Sequence, residues 1–202
     1  MYQHFLKVLN HKWYVLLAGL KTKAPLWRLL IHDWSKLTPT EYMGYYKKFQ
    51  KQDDSEFAAA WLHHQNTNPH HWEYWISRSG PNAGKPMDMP MWAVREMVAD
   101  WMGAGKAYNG VWPDLLDWKW LKVNNLTMNI TPNTRRRVFE VIGEVIHRND
   151  PAYCQVFCSC GTDLTLLHSE MKDTDLVRYT CYCGEKSSWL FDAPTPVKIL
   201  EK

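Results

Sequence analysis

Four histidines fall within nine positions, His63, His64, His70 and His71, and another stands beside an aspartate in the segment Ile31-His32-Asp33-Trp34-Ser35-Lys36. Packing alone does not account for so many imidazoles and carboxylates in one chain, because burying them is costly unless each is paired. The His-Asp pair presents two adjacent ligands of different hardness. A neutral imidazole offers one lone pair and a carboxylate two oxygens, so the pair can converge on one cation or the carboxylate can bridge two. With His11 upstream and Asp100 downstream, the order along the chain is H…HD…H…HH…D.

Apolar periodicity places these residues mainly on helices. Residues 3–21 read as a helix with Phe5, Val8, Leu9, Leu16 and Leu20 as its stripe, and His11 shares a face with Val8 and Val15. Pro25 opens a second helix through Leu26, Leu29 and Leu30 to Lys36, with His32 and Asp33 about 100° apart on it. Thr38-Pro39-Thr40-Glu41 has the form of an N-cap followed by a capping box. The helix it starts continues through Tyr42, Tyr45, Tyr46 and Phe49, with Lys47, Lys48 and Lys51 as a solvated basic face. Another helix spans Glu56 to His64 and is broken by Asn66-Thr67-Asn68-Pro69. Adjacent helical side chains diverge, so one histidine of each pair is expected at the metal, with His64 and His70 preferred. His71 is close behind, or acts on a leaving oxygen or a phosphate.

Residues 77–90 are rich in Gly and Pro and form the longest loop, carrying Arg78 and Lys85 toward any anionic substrate. The loop lacks the G-K-[ST] ending of a phosphate-binding P-loop. From Pro90 a helix runs through Trp92, Val94, Met97, Val98 and Trp101, with Asp100 on its apolar face, where a buried carboxylate needs a cation. Glu96, one turn earlier, can support a ligand or act as a base. Asn109-Gly110 marks a turn, and Pro113 to Lys122 reads as a Trp- and Leu-rich helix. A last helix from Pro132, capped by Thr131, buries Val138, Phe139, Val141, Ile142, Val145 and Ile146. Arg135, Arg136 and Arg137 are expected at its surface, with anion binding as the competing use.

With 202 residues, 46% of them hydrophobic, the chain can bury one substantial core, so residues 1–150 are expected as the main domain and 151–202 as an appendage. A net charge of +3 is too small to argue for nucleic acid by itself. The longest uncharged apolar run, Trp13 to Leu20, falls far short of the approximately 20 residues that span a bilayer. The start has no small-residue cleavage site of the secretory kind, and a cytoplasmic location with no membrane partner is expected. Twelve tryptophans serve either as bulky core or as an aromatic wall for a flat ligand.

Composition changes at Asn149-Asp150-Pro151. Beyond it, Cys158-Ser-Cys160-Gly and Cys181-Tyr-Cys183-Gly form two knuckles that resemble a zinc ribbon, with a hairpin containing Leu164 to Leu167 and Val177 to Thr180. Four thiolates make a closed tetrahedral site for structural zinc, and the glycine after each unit eases the tight turn. So small a segment draws much of its folding energy from metal. Cys154 is left over as a buried thiol.

The H…HD…H…HH…D order resembles the HD superfamily of metal-dependent phosphohydrolases, a resemblance that covers residues 1–150. The H-D-x-S-K form at His32 to Lys36, the N-x-H-H form at Asn68 to His71 and the Asp100-Trp101 pair look most like an uncharacterised HD-like family common in bacteriophages and bacteria. The resemblance implies a mainly α protein, an HD-like helical bundle with a small C-terminal β zinc ribbon. His11, His32, Asp33 and Asp100 would hold a first metal, and His64 and His70 a second, or else the phosphate. One or two divalent ions (Mn, Mg, Co, Zn or Fe) would activate water. Asp33, Lys36 and His71 would be catalytic, and Lys36, Arg78 and Lys85 would steady a phosphate-containing small molecule, a nucleotide or another phosphate ester, in the cytoplasm, the host's if the chain is phage-encoded. Two rival readings keep the metals but change the function. One is a zinc-containing nucleic-acid- or protein-binding module with a structural histidine site, and the other is a di-iron HD-like oxygenase.

Overall fold

The buried face of the first helix, α1 (Tyr2–Thr22), is made of His4, Val8, His11, Val15, Ala18, Gly19 and Thr22. That four-three spacing is a helical stripe, but a small and partly polar one. Phe5, Leu9 and Leu20 of the expected stripe are exposed instead. The reason lies in its neighbour, α5 (Met91–Asn109), which runs antiparallel against it. A Cβ added to Gly103 would fall 2.7 Å from Val15 Cγ2 and 2.8 Å from Val15 N, so the two backbones nearly touch and leave no room for large side chains. Thr22 Oγ1 donates to Arg95 O at 2.9 Å near the other end of the pair. This close approach brings His11 and Asp100 together.

The computed structural model describes residues 2–146, 155–167, 176–181, 183–190 and 197–199. They are mainly helical, with one small antiparallel sheet, and among them no helix is long and apolar enough to cross a membrane. The chain divides into two compact units, residues 1–113 and 114–202.

In the first unit α2 (Leu26–Ile31) is shorter than expected and buries only Leu29, while Leu26, Leu30 and Ile31 are exposed. It ends at His32, whose φ/ψ of −50°/132° is not helical. Asp33 then adopts a left-handed conformation, φ 53° and ψ 26°, before a 3₁₀ turn over Trp34–Leu37. The expected continuous helix to Lys36 is therefore broken at the His-Asp pair. Aspartate is one of the few L-residues that tolerate this region.

Pro39 opens α3 (Pro39–Tyr46), which passes into a π-helical turn at Lys47–Lys51. Next comes α4 (Phe57–Thr67), packed so closely on α3 that a Cβ on Gly44 would lie 2.5 Å from Ala60 Cβ. The 77–90 segment is a hydrogen-bonded hairpin: Ile76 bridges Pro86, Ser77 N donates to Lys85 O at 3.0 Å, and Gly84 N to Ser77 O at 2.7 Å.

The second unit contains α6 (Lys119–Asn124), α7 (Pro132–Ile146), a single helical turn α8 (Leu164–Leu167), and strands β1 (Leu176–Thr180), β2 (Lys186–Leu190) and β3 (Val197–Ile199) in the order β1-β2-β3. Both strand pairs are antiparallel, and Val177 pairs with Trp189. The Trp- and Leu-rich helix starts only at Lys119, and Leu164–Leu167 is helical where a strand was expected. Asp163 Oδ1 accepts from Thr165 N at 2.8 Å and from Thr165 Oγ1 at 2.6 Å, an Asx-type turn that starts a helix rather than a strand.

The division at 113 rather than near 150 also has a structural cause, because α7 packs with the cysteine segment. Gln155 Nε2 donates to Phe139 O at 2.8 Å, the Arg136 guanidinium lies 4.7 Å from the Phe157 ring centre, and from the end of α6 Asn125 Nδ2 donates to Thr162 Oγ1 at 3.1 Å. Arg135, expected at the surface, is buried and donates to Asn125 Oδ1 at 2.9 Å and to Met128 O at 3.2 Å, so it is structural. Thr131 does cap the helix, accepting from Thr134 N at 3.0 Å. The composition change at Asn149-Asp150-Pro151, and Cys154, lie outside the described residues.

Gly103→Ala is expected to destabilise the protein by about 1–3 kcal/mol, since the new methyl meets backbone that cannot turn aside. Gly105→Ala, with Pro113 Cδ at 3.4 Å, should cost far less. Denaturant midpoints of the two variants check this, and equal midpoints would mean that α1 and α5 do not approach so closely.

Candidate metal centres

At the left-handed turn, the two carboxylate oxygens of Asp33 face different partners. Oδ2 lies 3.2 Å from His11 Nε2 and 3.4 Å from His32 Nε2, and Asp100 Oδ1 lies 3.0 Å and 3.4 Å from the same two nitrogens. Oδ1 lies 3.3 Å from both His64 Nε2 and His70 Nε2, and His71 Nε2 stands 2.9 Å from His64 Nε2. His11, His32, Asp33 and Asp100 thus form one group able to hold a metal ion, and Asp33, His64, His70 and His71 a second. Asp33 belongs to both.

Two features fit these donors to divalent cations. Bonds of about 2.0–2.2 Å to one ion put neighbouring ligand atoms roughly 3.0–3.5 Å apart, the separations found here. In addition, Nε2 of His11, His32 and His70 and Oδ1 of Asp33 are buried without a hydrogen-bond partner. Such atoms cost about 1–3 kcal/mol each if nothing meets them.

Behind the ligand atoms stand two buried glutamates. Glu96 Oε1 is hydrogen-bonded to His32 Nδ1 at 3.1 Å and lies 3.3 Å from His70 Nδ1, while Arg28 Nε donates to Glu96 Oε2 at 2.7 Å. His32, His70 and Glu96 could themselves be counted as a metal group. The Arg28 charge already occupies that side, so Glu96 orients the histidines and leaves their Nε2 atoms to face a cation. Glu41 does the same for His64. Its Oε2 meets His64 Nδ1 at 2.8 Å and accepts from Ser35 Oγ at 2.9 Å, while its Oε1 meets His63 Nδ1 at 2.6 Å. Glu41 therefore forms no capping box, and the Thr38 hydroxyl caps nothing and donates to Ser35 O at 2.7 Å.

Burial would raise Asp33, but the charges of His32, Lys36 and His64 outweigh it and hold this carboxyl well below the usual range. Asp100 is likewise held low, against its burial, by His11 and His32. Burial would also raise Glu96, yet His32 and His70 bring it down to about 2. His11, His32 and His70 are raised, because their carboxylate neighbours overcome a burial that acts in the opposite direction. His71 is held well below its ordinary value by burial and by the neighbouring His70 and His64.

The expected ligands His11, His32, Asp33, His64, His70 and Asp100 all converge, and His71 joins them. His63 does not. Lys36 Nζ donates to Asp33 Oδ2 and lines a cavity of about 400 Å³ that also reaches His11. Arg78 and Lys85 are exposed on the hairpin, outside that cavity, and Arg78 donates to Asn66 Oδ1. Lys47 and Lys48 are paired with Glu56 and Asp54 at the surface. Glu41 was hidden in the sequence because a helix-start pattern explained it, and the only hint of its other role is its position shortly after the His-Asp pair.

In the second unit Cys158, Cys160, Cys181 and Cys183 form a third group. Sγ of Cys158 is 3.4 Å from Sγ of Cys183, and Sγ of Cys160 is 3.7 Å from Sγ of Cys181. These separations are too long for disulfides and close to the roughly 3.8 Å between thiolates bound to zinc at about 2.3 Å. The two knuckles are built alike. Gly161 N donates to Cys158 O at 2.9 Å and Gly184 N to Cys181 O at 2.8 Å, and both glycines have positive φ, 85° and 92°. Burial drives the Cys158 thiol up, whereas at Cys160 hydrogen bonds from Thr162 overcome burial and bring it down to about 7.

Because His11, His32 and His70 hold protons more firmly than a free imidazole, protons compete with a cation for their Nε2 atoms. Metal binding to the first unit should release protons and weaken as pH falls from about 8 to 6. Calorimetry in buffers of different ionisation enthalpy measures that release. Glu96→Gln and Glu41→Gln should each weaken metal binding by about 10–100-fold. Cys160→Ser combined with Cys183→Ser should lose about one zinc per chain and melt earlier, while binding to the histidine groups persists. Elemental analysis with thermal melting checks that outcome.

Comparison with curated proteins returned no match, and no solved structure matched. Residues 1–144 do match a described family, an extent that takes in every His and Asp ligand above and ends within α7. By that match the chain belongs to DUF5662, a family of unknown function.

Proposed function

We propose that the first unit is an HD-like metal-dependent phosphohydrolase acting on a phosphate-containing small molecule, a nucleotide or another phosphate ester. The observation that carries this reading is the Asp33 carboxylate, whose two oxygens face separate sets of buried histidine nitrogens, those of His11, His32 and His70 without a hydrogen-bond partner, beside a cavity lined by Lys36. Divalent cations held there would supply Lewis acidity, acidifying water and drawing charge from a phosphoryl oxygen.

The chain's own residues do the rest. Glu96 and Glu41 hold His32 and His64 with Nδ1 as the donor, which keeps each Nε2 lone pair available. Lys36, reaching both Asp33 and the cavity, places an ammonium where a phosphate would sit. His71, neutral and on the far side of Asp33 from His11, can hold or deliver a proton at Nε2 where His64, His70 and Asp33 hold the second cation without it. Arg78 and Lys85 have no part in this arrangement, which leaves Lys36 as the substrate cation of the predicted set. The four-cysteine group is read as structural zinc, and nucleic acid or protein is a partner only through that segment. The reading places the protein in the cytoplasm.

The test is release of phosphate or pyrophosphate from a panel of nucleotides and phosphate esters with added manganese, cobalt, magnesium or zinc. Asp33→Asn preserves the side-chain shape and the tolerance for the left-handed backbone while removing the charge. A loss of at least about 100-fold in rate, with the variant still folded, is expected, because both cation groups lose their common ligand. If the wild type, folded and metal-loaded, stays silent across the panel, the reading fails. Iron content with oxygen-dependent absorbance would then favour the oxygenase, and histidine groups closed by protein ligands the binding module.

A further inference from the structure

The cavity beside the metal groups holds two buried polar groups that no part of the mechanism uses. His4 on α1 is 4% exposed and Tyr45 on α3 is 8% exposed, and both line the cavity. His4 Nε2 and the Tyr45 hydroxyl have no hydrogen-bond partner. The His4 ring is fixed by an edge-on contact with Tyr42 at 4.9 Å, and Tyr45 by contacts with Phe57 at 5.4 Å and His64 at 5.9 Å. Neither ring can readily swing out to water, so each polar atom waits for something that enters the cavity. Burial keeps the His4 imidazole below its ordinary pKa, so it offers one donor and one acceptor nitrogen.

The remaining walls limit what can enter. Lys7 and Lys36 supply positive charge, and Phe49 and Tyr108 supply aromatic surface. Phe49 sits in the π-helical turn Lys47–Lys51, an irregularity that often marks a functional wall. A volume of about 400 Å³ suits a small organic molecule.

We propose that this cavity is the substrate pocket of the first unit, and that His4 and Tyr45 read hydroxyl groups on the organic part of a compact phosphate monoester, between a sugar phosphate and a mononucleotide in size. The proposal rests on the phosphohydrolase reading for its location but is tested by binding rather than turnover. The anionic head lies toward Lys36 and His11, and the hydroxyl-bearing body extends past Tyr45 toward His4. Both are specificity-determining residues, and neither is a metal ligand.

The test titrates the full-length protein with inorganic phosphate, n-propyl phosphate, ribose-5-phosphate and adenosine monophosphate. Wild type should bind the two hydroxyl-bearing esters at least about tenfold more tightly than n-propyl phosphate, the value of one or two net hydrogen bonds. Tyr45→Phe and His4→Phe should erase that margin and leave inorganic phosphate unaffected. Because each removes a buried atom without a partner, melting temperatures should stay the same or rise, whereas a structural role would lower them. Ribose-5-phosphate and adenosine monophosphate binding alike would place recognition in the sugar, and a further gain for the nucleotide would place the base against Phe49 and Tyr108. Hydroxyl discrimination without hydrolysis of any ester would uphold this pocket and sink the proposed reaction. Equal affinity for all esters, no binding of any probe, or variants that melt lower yet bind as wild type would overturn the inference.

Discussion

The Asp33 carboxylate is the contact on which the first unit depends. It is 1% exposed, and its oxygens face His11 and His32 on one side and His64 and His70 on the other. A buried anion is tolerable only with cations or donors around it, so α1, α4 and the segment after α4 must all bring theirs to the same point. The left-handed backbone at Asp33 lets this happen. Conformations of this kind cost energy and persist where surrounding structure enforces them, which is a feature of functional sites.

Electrostatics extend the argument outward. Asp33, Asp100, Glu41 and Glu96 are four carboxylates in or against the site, and they outnumber Arg28, Lys36 and Lys12, the lysines and arginine that stand beside it. The carboxylates beside His11, His32 and His70 raise these imidazoles against their burial, while burial and the neighbouring His70 and His64 lower His71. Protons and a divalent cation compete for the same nitrogen lone pairs. Glu41 and Glu96 have the same outer role on opposite sides of Asp33, each accepting from the Nδ1 of a ligand histidine.

The cysteine unit solves a different problem. The apolar cluster around its sulfurs consists of Val156, Cys158, Leu164, Tyr179 and Cys181, with Cys160 and Trp189 against it, so the sulfurs are themselves much of the packing there. Such a cluster is too small to pay its conformational entropy by burial alone. Helix α7 contributes through Pro132, Phe139 and Gly143. A Cβ at Gly161 would fall 2.0 Å from Pro132 O, and one at Gly143 2.6 Å from Gln155 Nε2. The helix is thereby bound to the first knuckle more closely than its distance along the chain would imply.

Much of the site chemistry was legible in the sequence because it resides in residue type and order. His11, His32, Asp33, His64, His70 and Asp100 are costly to bury unpaired, the four cysteines stand in two matching pairs, and the spacing of both sets suits metal whatever the exact backbone. The sequence could not disclose which face of α1 is buried, since that depends on how closely Gly103 of α5, far along the chain, lets the helices approach. It could not show that α2 stops at His32, because local pattern favoured a helix to Lys36 and tertiary contacts at Asp33 overrode it. Nor could it separate Glu41 the helix-starter from Glu41 the partner of His64, since one residue satisfied a local rule and a distant one equally well. Ligand identity was thus determined by side-chain chemistry. The bridging geometry, the supporting glutamates and the pocket at His4 and Tyr45 were decided by contacts between distant segments, which only the tertiary structure brings together.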